Sequence, residues 1–253
     1  MNNVLYSFLV SGIAGLSTMI GTIFLFFNYR KINKVICSFL AVAAGAMIMV
    51  SIYDLIPSAF KYLSESYFVI LTILFILIFV VVGVVGSIIV DKIIPSGNGH
   101  SDNSLLFRTG IFSMIILMLH NIPEGIATFV TSLSNFSFGI SLAIAISMHN
   151  IPEGICIAIP IYYATGSKIK AISYTFIAGI SELIGAFIAY KFFADYMTSF
   201  LFSMLFSIIA GMMLYIVFKE IIPTSLKYGS KVRVVVFGFI TIIIMLLSHV
   251  FLH

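Results

Sequence analysis

Cysteine is nearly missing from this chain of 253 residues: there are two, Cys37 and Cys156, and no CxxC pair. That excludes a disulfide framework, a thiolate zinc site and dithiol redox chemistry, and leaves both as small apolar packing residues. Charge is scarce as well. Only 9% of residues are Asp, Glu, Lys or Arg, against 61% hydrophobic, and mean hydropathy is +1.20. Such a composition excludes a soluble globular domain. The 13 basic residues exceed the 9 acidic ones, but they are scattered over short loops with no patch or aromatic interleaving, so no nucleic acid partner is expected. HExxH and paired Glu-x-x-His motifs do not occur, which counts against an intramembrane metalloenzyme, either a protease or a di-metal bundle.

What is present is apolar sequence in long runs. A run of about 18 residues or more can cross ~30 Å of hydrocarbon as a helix. Eight such runs occur, at 4–27, 36–59, 67–90, 108–131, 138–163, 171–190, 199–222 and 233–252. The first five residues carry no basic side chain, so the first run is expected to be a retained span and not a cleaved signal. The connections are short except Asp91–Phe107, which contains Pro95, Gly97, Gly99 and His100 and reads as an irregular, solvated loop. The expected fold is therefore all-α: one transmembrane domain of eight helices in the cell membrane. Lys and Arg number ten in the loops after spans 1, 3, 5 and 7 and two, Lys61 and Lys191, after the even spans. This bias places the odd loops in the cytoplasm and both termini outside.

The chain also repeats itself. GAMIMVSIYDLIPSAFKY (45–62) aligns with GMMLYIVFKEIIPTSLKY (211–228), pairing Gly45 with Gly211, Pro57 with Pro223 and Asp54 with Glu220. Upstream, SGIAGL (11–16) is similar to AGISEL (178–183). Copies five spans apart face opposite ways, so spans 1–3 and 6–8 form an inverted repeat around a hairpin of spans 4 and 5, a pattern typical of secondary transporters.

The second repetition is chemical. His-Asn-Ile-Pro-Glu-Gly occurs at 120–125 and again at 149–154, each time inside an apolar run. Ionisable groups at mid-bilayer cost roughly 2.5–3.5 kcal/mol each on insertion, so they mark function. Residues i and i+4 share a helical face, which sets His120 beside Glu124 and His149 beside Glu153. Both histidines fall ~16–18 Å into their spans, at one depth. Two such pairs facing each other offer imidazoles and carboxylates, a nitrogen and oxygen set suited to a divalent transition metal. Pro123 and Pro152 each remove one helical hydrogen bond, freeing the carbonyls of Leu119 and Met148. Glu182 lies near the middle of span 6, as a further ligand, a proton carrier or a neutral hydrogen-bonded carboxyl. Asn121 and Asn150 either bridge helices or serve a second ion. Asp54 and Glu220 end spans 2 and 7, where they either collect ions at the outer and inner mouths or stand as plain interfacial residues. A metal must displace protons from these groups, so uptake is expected to compete with H⁺ at low external pH. The same His and Glu groups would also suit a proton-coupled carrier of an organic substrate.

With HNIPEG in span 4, HNIPEG in span 5 and SELIG in span 6, the chain resembles the ZIP (Zrt-, Irt-like) metal transporters, bacterial ZupT-type members in particular. The resemblance covers the eight spans, the inverted repeat and the longer loop after span 3. It implies a binuclear site: His120, Glu124, His149 and Glu153 match one metal position. Asn121, Asn150 and Glu182 match a second, with Glu124 and Glu153 bridging. It further implies uptake of Zn²⁺, with Fe²⁺, Mn²⁺, Co²⁺ and Cd²⁺ as related cargo, no cofactor, no enzymatic activity, and the bilayer and a homodimeric copy as partners. The loop after span 3 departs from the pattern, since it has one histidine where many relatives carry a His-rich tract.

Overall fold

The computed structural model describes residues 2–27, 29–93, 102–193 and 198–252, so His100 lies outside the described residues. Every described element is helical. We name the rods α1 (Asn2–Leu16, tightening to a 3₁₀ helix over Ser17–Phe26), α2 (Ile32–Ser64), α3 (Val69–Ile93), α4 (Asp102–Ser134), α5 (Phe136–Thr165), α6 (Lys168–Phe192), α7 (Ser199–Tyr228) and α8 (Lys231–Leu252). Among the described residues, α1 to α7 each contain a run long and apolar enough to cross a membrane. α8, at 22 residues, is the eighth apolar rod.

The chain is a polytopic, all-helical membrane protein, and its side chains sort accordingly. α3 shows the rule in its simplest form. Thr72, Ile76, Gly83 and Ser87 are buried, while Ile70, Leu74, Leu77, Val81 and Val85 are exposed. The few small and polar residues face other helices, and the branched apolar ones face outward, where lipid replaces water as the solvent.

Several helix ends differ from the sequence reading, and two of them bear on the hairpin that carries the hexapeptides. α4 begins at Asp102, six residues before the expected span, so residues 102–107, the last six of the Asp91–Phe107 connection, are helix and not irregular loop. The hairpin between α4 and α5 is a single residue, Asn135, because both helices run on past the expected span ends. Leu105, Leu106 and Phe107 explain the first difference: an apolar triplet after a polar start can continue a buried helical face, and Leu106 is indeed buried.

The repeat is visible in the backbone. α2 and α7 each widen into a short π-helical turn, Val50–Leu55 and Val217–Ile221, and each then resumes as α-helix with proline in its first turn. Pro57 and Pro223 supply the cause. A proline has no N–H and its ring collides with the carbonyl four residues back, and a widened turn absorbs both defects. Asp54 and Glu220 sit inside these turns.

Glycines set the closest helix crossings, and they too come in related pairs. A Cβ at Gly45 on α2 would overlap the Gly238 carbonyl of α8, and one at Gly211 on α7 would overlap the Val80 carbonyl of α3. The repeat thus pairs α2 with α8 and, in the other orientation, α7 with α3. The two hexapeptide glycines behave likewise. Gly125 on α4 abuts the Glu182 carbonyl of α6, and Gly154 on α5 abuts the Thr18 carbonyl of α1. Gly15 and Gly179 join α1 to α6, each facing the other's carbonyl. The core that fills the remaining space is apolar, with Met47, Ile116, Leu117, Ile157 and Met213 in one buried cluster.

Candidate metal centre

The hairpin decides which side chains meet. In an antiparallel pair closed at Asn135, His120 of α4 falls opposite Glu153 of α5, and Glu124 falls opposite His149. His149 Nε2 lies 3.1 Å from Glu124 Oε1 and His120 Nε2 lies 3.6 Å from Glu153 Oε1. Within α4, the helical repeat brings His120 Nε2 to 3.3 Å from Glu124 Oε1. The His120 contacts are close enough for an ion pair but are not aligned as hydrogen bonds. The His149–Glu124 contact is a hydrogen bond.

α6 and α1 close the site from the sides. Asn121 donates its amide to the Ala178 carbonyl of α6 at 3.0 Å, and Asn150 donates to the Ala14 carbonyl of α1 at 2.9 Å. Each hexapeptide therefore spends its asparagine N–H on the backbone of its own flanking helix, leaving the amide oxygen unbonded. The Asn150 amide also reaches Glu182 Oε2 at 3.2 Å. Glu182 extends over Gly15, where any side chain would crowd its carboxyl. The structure thus brings together His120, Asn121, Glu124, His149, Asn150, Glu153 and Glu182, each 4% exposed or less.

The group has more acceptors than the protein can satisfy. Six buried oxygens have no hydrogen-bond partner among the described residues: Asn121 Oδ1, Glu124 Oε2, Asn150 Oδ1, both Glu153 oxygens and Glu182 Oε1. Both His120 ring nitrogens are equally unbonded. A buried polar group left unpaired costs on the order of 1–3 kcal/mol, more for charged groups. Among the described residues, no three or more His, Cys, Asp or Glu have converged on a shared metal position. The side chains hold one another in hydrogen-bond and ion-pair geometry instead.

The two carboxylates at the repeat's π turns differ from each other. Asp54 is half-buried. Glu220 is buried, and Arg108 Nη1 approaches its Oε2 to 2.7 Å. Arg108 also pairs with Asp91 at the end of α3. Thr109 donates to Glu220 Oε1 at 2.8 Å, and the Tyr215 hydroxyl donates to Asp91 Oδ2 at 3.1 Å. This network ties α3, α4 and α7 together. Arg108 opens the fourth expected span, and no spacing in the chain joins it to Asp91 and Glu220 on two other helices. Thr128 and Ser132 were also missed. They follow Glu124 at successive intervals of four on α4, and both hydroxyls are buried without a partner. That spacing, continued from His120 and Glu124, was the available signal.

A family model described as ZIP zinc transporter matches residues 97–247. The chain belongs to the ZIP family. Over 95% of its length it is 35% identical to a zinc transporter ZupT of Clostridium perfringens, covering 93% of that protein. It is 36% identical to the zinc transporter ZupT of Streptococcus mutans, with 93% of this chain and 92% of the relative aligned, and 36% identical to that of Oceanobacillus iheyensis, with 91% of each. The matched region includes both hexapeptides and Glu182.

Proposed function

We propose that this ZIP chain takes up divalent transition-metal ions, Zn²⁺ first, across the cell membrane, and that the seven buried residues form the binding site on the route. The observation that carries the reading is the surplus of buried acceptors between α4, α5 and α6, which a divalent cation satisfies and a neutral solute does not. The likeness to ZupT zinc transporters over the whole chain supports zinc as the cargo. Fe²⁺, Mn²⁺, Co²⁺ and Cd²⁺ share its preference for imidazole and carboxylate, so they belong to the same proposal.

Two ion positions fit the donor set. His120 and His149, with Glu124 and Glu153, hold the first. The free oxygens of Asn121, Asn150 and Glu182 hold the second, with the glutamates shared. Oxygen and imidazole ligands release an ion more readily than thiolates, which suits a site that must empty on every cycle. Both termini outside, as the lysine and arginine bias indicates, complete the proposed topology. Thr128 and Ser132 extend the polar face from the site toward the hairpin tip and so line the approach from that side.

The test is flux. Purified protein in liposomes should accumulate radiolabelled Zn²⁺, and Cd²⁺ should compete. Metal-dependent turnover of a substrate without flux would establish an enzyme instead. Uptake of an organic solute indifferent to Zn²⁺ would establish the proton-coupled alternative.

A further inference from the structure

Away from the metal centre, the start of α2 and the start of α8 enclose a groove of ≈ 270 Å³. α2 and α8 run in parallel here, since Arg233 meets Ser38 near both starts and Gly238 meets Gly45 further along. Two helix N-termini therefore open at the same membrane face. Each presents the positive end of its dipole, and at α8 the Ser230 hydroxyl accepts one first-turn N–H, that of Arg233, at 3.3 Å. Neither first turn contains an acidic residue, and Lys31, at the cap of α2, makes no side-chain capping bond. Instead of a counter-charge, the sequence adds cations. Lys31, Lys34 and Arg233 line the groove, and Arg233 is laid into it by donating to Ser38 Oγ at 3.3 Å.

The rest of the lining is of another kind. Tyr29 stands at the charged end, and Phe237 and Val42 continue as an apolar wall along the helices. A charged end followed by an apolar wall matches an amphiphile aligned with the bilayer. A soluble anion would use the first part only. A zwitterionic headgroup would bring its own cation among the lysines. We infer that this groove is a binding site for an anionic phospholipid, with its phosphate at Lys31, Lys34 and Arg233 and an acyl chain along Val42 and Phe237. Basic pockets between membrane helices take such headgroups by charge pairing, and helix N-termini take phosphate for the same reason. The inference needs only that the chain spans a bilayer, so it stands or falls apart from metal transport.

Full-length protein in nanodiscs of phosphatidylcholine doped with phosphatidylglycerol, released for native mass spectrometry, gives the readout. The unmodified protein should retain phosphatidylglycerol in preference to phosphatidylcholine. The double variant Lys31→Gln/Lys34→Gln changes two exposed side chains and no core residue, and its preference should fall about fivefold per cation removed. Lys92→Gln/Lys170→Gln, two exposed cations outside the groove, should leave it unchanged. Equal retention of both lipids by the unmodified protein would overturn the inference. So would equal losses in the two double variants, or inorganic phosphate binding as tightly as the lipid.

Discussion

His149 Nε2 lies 3.1 Å from Glu124 Oε1, so the histidine of one hexapeptide pairs with the glutamate of the other. The crossed pairing follows from the tight hairpin at Asn135, and it makes the two copies one site. Removing a charge from either copy should therefore disable both. Glu124→Gln and Glu153→Gln should each lower Zn²⁺ flux into proteoliposomes at least tenfold, since each carboxylate is proposed to serve both ions. Wild-type rates in either variant would remove that carboxylate from the site.

Protons and metal ions compete for the same lone pairs of these glutamates and histidines. Lowering external pH should raise the Zn²⁺ concentration needed for half-maximal uptake while leaving the rate at saturating Zn²⁺ nearly unchanged. Initial rates measured over a range of Zn²⁺ concentrations at several pH values separate the two effects. A constant half-saturation point would exclude competition.

Gly125→Ala should be costly, because its new methyl overlaps the Glu182 carbonyl and must push α4 from α6. Overpacking of this kind costs about 1–3 kcal/mol, so the melting temperature of the purified protein should fall. Gly154→Ala, against the Thr18 carbonyl, should act alike. Gly86→Ala is the control, since nothing lies within 4 Å of its added carbon and its melting should be unchanged.

Arg108→Gln would leave Asp91 and Glu220 close together without their shared cation. Stripping the partner from a buried pair costs about 3–5 kcal/mol. The Arg108 side chain keeps 20% exposure, so a loss of about 2 kcal/mol is the better expectation here. The double variant Arg108→Gln/Glu220→Gln should regain part of that loss. Thermal denaturation of the wild type, Arg108→Gln, Glu220→Gln and the double variant forms the mutant cycle that measures it.

Much of this was legible in the sequence, for a physical reason. Polar groups are so expensive in hydrocarbon that His120, Glu124, His149, Glu153 and Glu182 stand out against their runs, and the i, i+4 rule sets His120 beside Glu124 without a structure, but the crossed contacts of His149 with Glu124 and His120 with Glu153 depend on the hairpin. The inverted repeat was readable through Pro57 and Pro223, although the π turns they cause were not. The Arg108 network was hidden because Asp91, Arg108 and Glu220 come from three helices, and their meeting depends on packing. The start of α4 was hidden too, since Asp102, Asn103 and Ser104 look like loop until Leu106 is seen to be buried.

The glycine crossings have one more consequence. They lock α1, α4, α5 and α6 backbone to backbone, and separately lock α2 to α8 and α3 to α7. The cluster holding Met47 and Met213 against Ile116, Leu117 and Ile157 joins one set to the other, and so does the Arg108 network between α4, α3 and α7. Interlocked backbones resist shear, while a seam of flexible side chains can slip. A displacement of one set against the other would have to break the Arg108 pairs with Asp91 and Glu220, while the hexapeptides and Glu182 stay together on one side.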